Sequence, residues 1–187
     1  APGDPLRLIH WKSWARTGRP IVTELEDSFV PRHGLVLDTF PDPGGDEHYE
    51  DAVSVAASFV AAVDTRECLI ELKFLAGAGQ VITAGRGAGR AESLLEALAG
   101  VEPSPVPRFD SLHRLVARHA EDLSGCLCLF AGWSDARAAF LKRLRTTGVE
   151  AAAIVVCDER PTSAPPHVHF VRHARLAADL MALPAEL

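Results

Sequence analysis

Gly34-Leu35-Val36-Leu37-Asp38-Thr39 is a short apolar run that ends in a carboxylate, and a loop dense in turn formers follows it: Pro41, Pro43, Gly44 and Gly45. Such a run, bounded by such a loop, reads as a strand covered on both faces. Two more runs of this kind, Gly125–Gly132 and Ala151–Cys157, lie downstream, with a third strand at His167–Arg172. Helical patterns separate them. His48–Val63 puts Ala52, Val53, Ala56, Val60 and Val63 on one face, with Asp46 as N-cap. The loop Gly85–Arg90 leads into a helix carrying Leu94, Leu95 and Leu98 and closed by Gly100. Pro103, Pro105 and Pro107 make a stiff connector, after which Asp110 caps a helix bearing Leu112, Leu115, Val116 and His119. Ser134 caps another, with Ala136, Phe140, Leu141 and Leu144 inward and Gly148 at its end, and Arg175–Leu183 forms a closing helix. Cys68–Leu75 alternates, as a strand near a sheet margin does, and turns through Gly77-Ala78-Gly79 into a hairpin partner at Gln80–Thr83. The pattern predicts an α/β fold: an open, mostly parallel sheet with helices on both faces and one antiparallel hairpin strand. In such sheets ligands bind at the carboxyl ends of strands where the winding direction reverses.

The 187 residues suit one α/β domain, and 48% hydrophobic against 24% charged residues argues for a folded core. Nineteen Lys+Arg against twenty-five Asp+Glu leave a net charge of −6, which disfavours nucleic acid as a partner. No apolar run approaches the ~18 residues of a membrane span. Cys68, Cys126, Cys128 and Cys157 sit inside apolar runs without the spacing of a disulfide framework, so they read as reduced interior thiols of an intracellular domain. The opening Ala1-Pro2-Gly3 carries no initiator Met and reads as the interior of a longer protein.

Residues 1–33 stand apart as an extended segment bearing Trp11 and Trp14 among spaced cations, while 34–187 form the domain. The segment reads Pro2-Gly3-Asp4-Pro5-Leu6-Arg7-Leu8-Ile9-His10-Trp11-Lys12-Ser13-Trp14-Ala15-Arg16-Thr17-Gly18-Arg19. It resembles the signature of the bacterial domain of unknown function 58 family: a Pro-Gly-Asp turn, an Arg, an Ile-His/Asp-Trp-Lys block and an Ala-Arg-Thr block. Glu24-Leu25-Glu26 and the Leu-Asp-Thr strand after it also look like that family. The resemblance implies a Rossmann-like sheet similar to von Willebrand factor type A domains. It also implies a membrane-anchored parent with this chain as its cytoplasmic domain, and a MoxR-type AAA+ ATPase as partner. The implied role is protein interaction rather than catalysis, with self-association left open.

Type A domains hold Mg²⁺ through an Asp-x-Ser-x-Ser loop, a Thr from a second loop and an Asp from a third, a hard-oxygen set suited to that ion. Here the first loop reads Asp38-Thr39-Phe40-Pro41-Asp42, so Phe40 and Asp42 replace the serines, and Gly85–Ala91 offers no Thr. The set is incomplete, which predicts a degenerate site where Asp38 accepts loop amides or pairs with an Arg. The alternative is an Mg²⁺-dependent adhesion-type module using Asp38, Asp42 and Asp135.

Other signals are weaker. Gly85–Arg90 lacks the Lys-Ser/Thr of a phosphate loop. Cys126, Cys128, Cys157, His167 and His169 contain no Cys-x-x-Cys pair, which argues against zinc. Ser134 lacks a nucleophile elbow, which argues against a hydrolase. Arg7, Trp11, Lys12, Trp14, Arg16 and Arg19 support two readings: a partner-binding surface, or a segment whose tryptophans pack on the domain while its cations pair with Asp4, Glu24 or Glu26.

Overall fold

The computed structural model describes residues 31–40, 45–62, 68–75, 80–84, 89–161 and 165–183, with the backbone alone at 80–84 and 89–90. The deciding run forms β1 (Arg32–Leu37). It pairs in parallel with β2 (Leu69–Phe74) on one side and β4 (Gly125–Ala131) on the other. Beyond β4 lie β5 (Ala151–Val156) and β6 (Val168–Val171), also parallel. On the other flank β3 (Gln80–Ala84) pairs antiparallel with β2, completing the expected hairpin. The order β3-β2-β1-β4-β5-β6 reverses its direction of growth between β1 and β4. The crossover helices are α1 (Gly45–Ala62), α2 (Gly89–Ala99), α3 (Phe109–Ala117) and α4 (Asp135–Thr146), and α5 (Leu176–Met181) follows β6.

Alternate side chains of each strand leave opposite faces of the sheet, so two cores form. Leu35, Leu37, Leu127, Leu129, Ile154 and Val156 pack beneath α1 and α2, meeting Ala52, Val55, Ala56, Leu94 and Leu98. Val36, Cys128, Phe130, Ala153 and Val155 pack beneath α3 and α4, meeting Leu112, Val116, Phe140, Leu141 and Leu144. Burial on both faces explains why β1, β4 and β5 read as unbroken apolar runs. None of the four cysteines is in a disulfide; Cys126, Cys128 and Cys157 are buried and Cys68 partly so.

Several local expectations need correction. α1 begins at Gly45, whose φ of 76° suits the turn into the helix, so Asp46 lies inside the first turn rather than at the cap. Asp110 likewise sits in the first turn of α3, with Arg108 in the cap position; its carboxylate meets Arg143 of α4 instead. His119 falls beyond the end of α3 and is exposed. Ser134 caps α4 as expected, but Ala136 faces solvent and Arg137 faces inward. On β2, one strand in from the margin, Glu71 and Lys73 are buried together: Lys73 Nζ donates to Glu71 Oε2 at 2.5 Å, and Arg32 donates to Oε1 at 2.9 Å. Among the described residues no helix is long and apolar enough to cross a membrane.

Candidate functional site

The reversal between β1 and β4 opens a crevice at the carboxyl ends of the strands. Asp38 begins the loop after β1, and its amide donates to Leu129 O of β4 at 3.0 Å, which fixes the two strand ends side by side. The chain leaving β4 turns at Gly132 (φ 87°), runs through Trp133, and enters α4 at Ser134, whose hydroxyl accepts from Arg137 N. The helix therefore starts directly over the Asp38 loop.

Asp38 is fully buried and its carboxylate is engaged at both oxygens. Oδ1 accepts the Phe40 amide at 2.8 Å, and Oδ2 accepts Arg137 Nε at 2.6 Å. A second guanidinium nitrogen of Arg137 donates to Phe40 O at 3.3 Å. Phe40 turns its ring into the core, edge-on to Phe109 at 4.7 Å between centroids. Thr39 Oγ1 donates to Leu75 O at 2.7 Å, tying the loop to the end of β2.

The second wall of the crevice comes from the connector 101–108. Ser104 is buried, and its amide donates to Thr39 O at 2.6 Å. Tyr49 of α1 is buried, and its hydroxyl has no partner among the described residues. Burial first, then the charges of Glu50, Asp38 and Glu102, push that phenol up to about 12, so it stays neutral. Cys128, on the strand beside Asp38, has a thiol held well above its ordinary value by its hydrogen bond with Cys126, by burial and by the charges of Cys126 and Asp38.

Two proteins of known structure are similar to this chain in fold. The manganese-loaded TRAP protein of Plasmodium vivax aligns over 82% of this chain and 72% of its own, at 11% identity and a TM-score of 0.53. Proximal thread matrix protein 1 of the mussel byssus, with its MIDAS motif occupied by zinc, aligns over 81% of this chain at 10% identity and a TM-score of 0.54. This chain spans 46% of that mussel protein. The fold is von Willebrand factor type A-like. No family model matches the chain, and no curated protein matches it in sequence. An aerotolerance-related membrane protein from Bacteroides fragilis aligns over 72% of this chain and 71% of its own, at 15% identity and a TM-score of 0.47.

Within this type A-like frame, the crevice brings together Asp38 and the start of α4. Asp135 is exposed in the first turn of α4, and it is Arg137, two residues on, that reaches Asp38. Asp42, Arg7, Trp11, Lys12, Trp14, Arg16 and Arg19 lie outside the described residues. The observed donor set suits a divalent ion poorly. A guanidinium already supplies the positive charge beside Asp38, and the Phe40 side chain carries no oxygen that could ligate an ion. Among the described residues no group of three His, Cys, Asp or Glu side chains is arranged to hold a metal.

Sequence reading missed Arg137 and Ser104. The signal for Arg137 was present: it heads the stripe Arg137, Phe140, Leu141, Leu144 at spacings of three, one and three, the inward face of α4. Ser104 gave no comparable signal, since a serine between prolines reads as loop.

Proposed function

We propose that this chain is a non-enzymatic protein-interaction domain whose switch-point crevice is held by an internal ion pair in place of a metal. The observation that carries the reading is the buried Arg137–Asp38 contact. It places a fixed cation beside Asp38 and commits Oδ2, while the Phe40 amide commits Oδ1, so a partner is recognised by surface complementarity rather than by completing a coordination shell. Two proteins of this fold are described as metal-loaded, and the internal guanidinium is the feature that argues for a different mode here. Two finer assignments rest on the N-terminal resemblance, a MoxR-type AAA+ ATPase as partner and a membrane-anchored parent; a third, Arg7, Trp11, Lys12, Trp14, Arg16 and Arg19 as contact residues, rests on the enrichment of Trp and Arg at binding surfaces.

Calorimetric titration with MgCl₂ and MnCl₂ tests the ion-free reading. No saturable heat is expected. Millimolar or tighter binding that Asp38→Ala abolishes would overturn it in favour of Mg²⁺ held by Asp38, Asp42 and Asp135. The partner is tested separately, by retention of a purified MoxR-type ATPase on the immobilised chain. Retention that falls sharply in Trp11→Ala/Trp14→Ala supports the assignment; no retention, or retention unchanged in that variant, removes it.

A further inference from the structure

A cleft of about 630 Å³ opens at the opposite end of the strands from the crevice, on the amino side of β1, β4, β5 and β6. It is independent of the reading proposed above. The register places His33, Leu127, Ala152 and His169 on the sheet face that carries α1, and Phe59 near the end of α1 lines the same space. That gives the cleft an apolar floor. Polar groups line it from separate elements: Arg145 from the last turn of α4 and His167 and His169 at β6 stand at one end, and His33 of β1, three strands away, at the other. Arg145 is held in place because one guanidinium nitrogen donates to Ala151 O at 2.6 Å. Among the described residues the other titratable groups facing the cleft are Glu150, which is exposed, and the buried thiol of Cys126.

We propose that this cleft binds a small organic anion, a carboxylate or phosphate monoester carrying an apolar body. The volume lies in the range of small-molecule sites, roughly 300–1,000 Å³, and an apolar wall with a few convergent polar groups is their usual make-up. At the β6 end of the cleft two imidazoles, His167 and His169, and the Arg145 guanidinium offer nitrogen donors to one anionic head, with Glu150 the one carboxylate among the described lining residues. Burial, then the charges of Arg145 and His169, hold the His167 imidazole below its ordinary value. An anion between these groups reverses that repulsion and draws a proton onto the site.

The test is a titration of the chain with phenyl phosphate and with benzoate, followed through the histidine side-chain resonances. Saturable movement of His167 and His169 is expected with at least one of them, with the His167 titration midpoint moving upward in the complex. Arg145→Gln should weaken binding about tenfold or more, the effect of losing a charge-assisted hydrogen bond. Because Arg145 also supports Ala151, His167→Asn provides a second variant, expected to weaken binding without loss of fold. Benzyl alcohol binding as tightly as the anions would overturn the proposal. So would inorganic phosphate matching phenyl phosphate, or wild-type affinity in both variants.

Discussion

Arg137 Nε lies 2.6 Å from Asp38 Oδ2, and the two side chains are 4% and 0% exposed. The residues are 99 positions apart in sequence. The contact fastens the start of α4 to the end of β1 across the point where the sheet reverses. It also pairs a buried carboxylate with a guanidinium, which stays protonated under ordinary conditions.

Removing one member of this pair leaves a buried charge unmatched. Arg137→Met should therefore cost about 3–5 kcal/mol, as buried pairs do when broken from one side. The double change Asp38→Asn/Arg137→Met should recover much of that loss. Urea denaturation of the two variants checks the expectation, and equal losses in both would contradict it.

The Glu71–Lys73 pair poses the same problem on β2, where Lys73 is fully buried. Burial drives the Glu71 carboxyl upward, but the hydrogen bond and charge of Lys73, joined by Arg32, outweigh it and leave the group below its usual value. A lowered folded value means stabilisation present above the ordinary carboxylate range and lost as pH falls through the folded value. Lys73→Met should reverse the sign of this contribution by exposing the burial penalty, so that its stability deficit narrows in acid. Unfolding curves at pH 7 and pH 4 measure the difference.

Thiol chemistry follows burial. Cys128 is fully buried and its thiol is held well above its ordinary value, so the thiolate that reacts is scarce. In the native protein at pH 8, Cys68 should be labelled first by a maleimide and Cys128 last. Denaturant should equalise them. Mass spectrometry of timed samples would show the order, and early labelling of Cys128 would contradict this packing.

The short 3₁₀ turn before α5 is clasped to α1 by His173, whose Nδ1 lies 2.8 Å from Asp51 Oδ2. The hydrogen bond to Asp51, then its charge, raises the imidazole against an opposing burial contribution, with Glu47 and Asp158 adding smaller upward effects. A raised folded value means the contribution is complete below the ordinary imidazole pKa and fades as pH rises through the folded one. Amide exchange in α5 should quicken between pH 6 and pH 8.5 beyond the intrinsic rate change. Asp51→Asn should remove the excess.

The apolar runs at β1, β4 and β5 and the helix patterns between them determined the architecture from sequence alone, because a strand covered on both faces has no polar alternation to disguise it. The Gly77-Ala78-Gly79 signal likewise marked β3 as the antiparallel strand of the hairpin. Asp38 was legible as a site residue for a local reason: a carboxylate ending such a strand lies at a carboxyl edge. What filled the space beside it was not local. Arg137 and Ser104 reach the crevice from segments 99 and 65 positions downstream (137 minus 38, and 104 minus 39), and only the order of the strands brings them there. The cleft holding His33, Arg145 and His167 likewise exists only after β1, β4, β5 and β6 are laid side by side. Periodicity reports which face of one element is covered; which groups meet between elements is set by packing and the free energy of pairing buried charges, and that was decided by the tertiary structure.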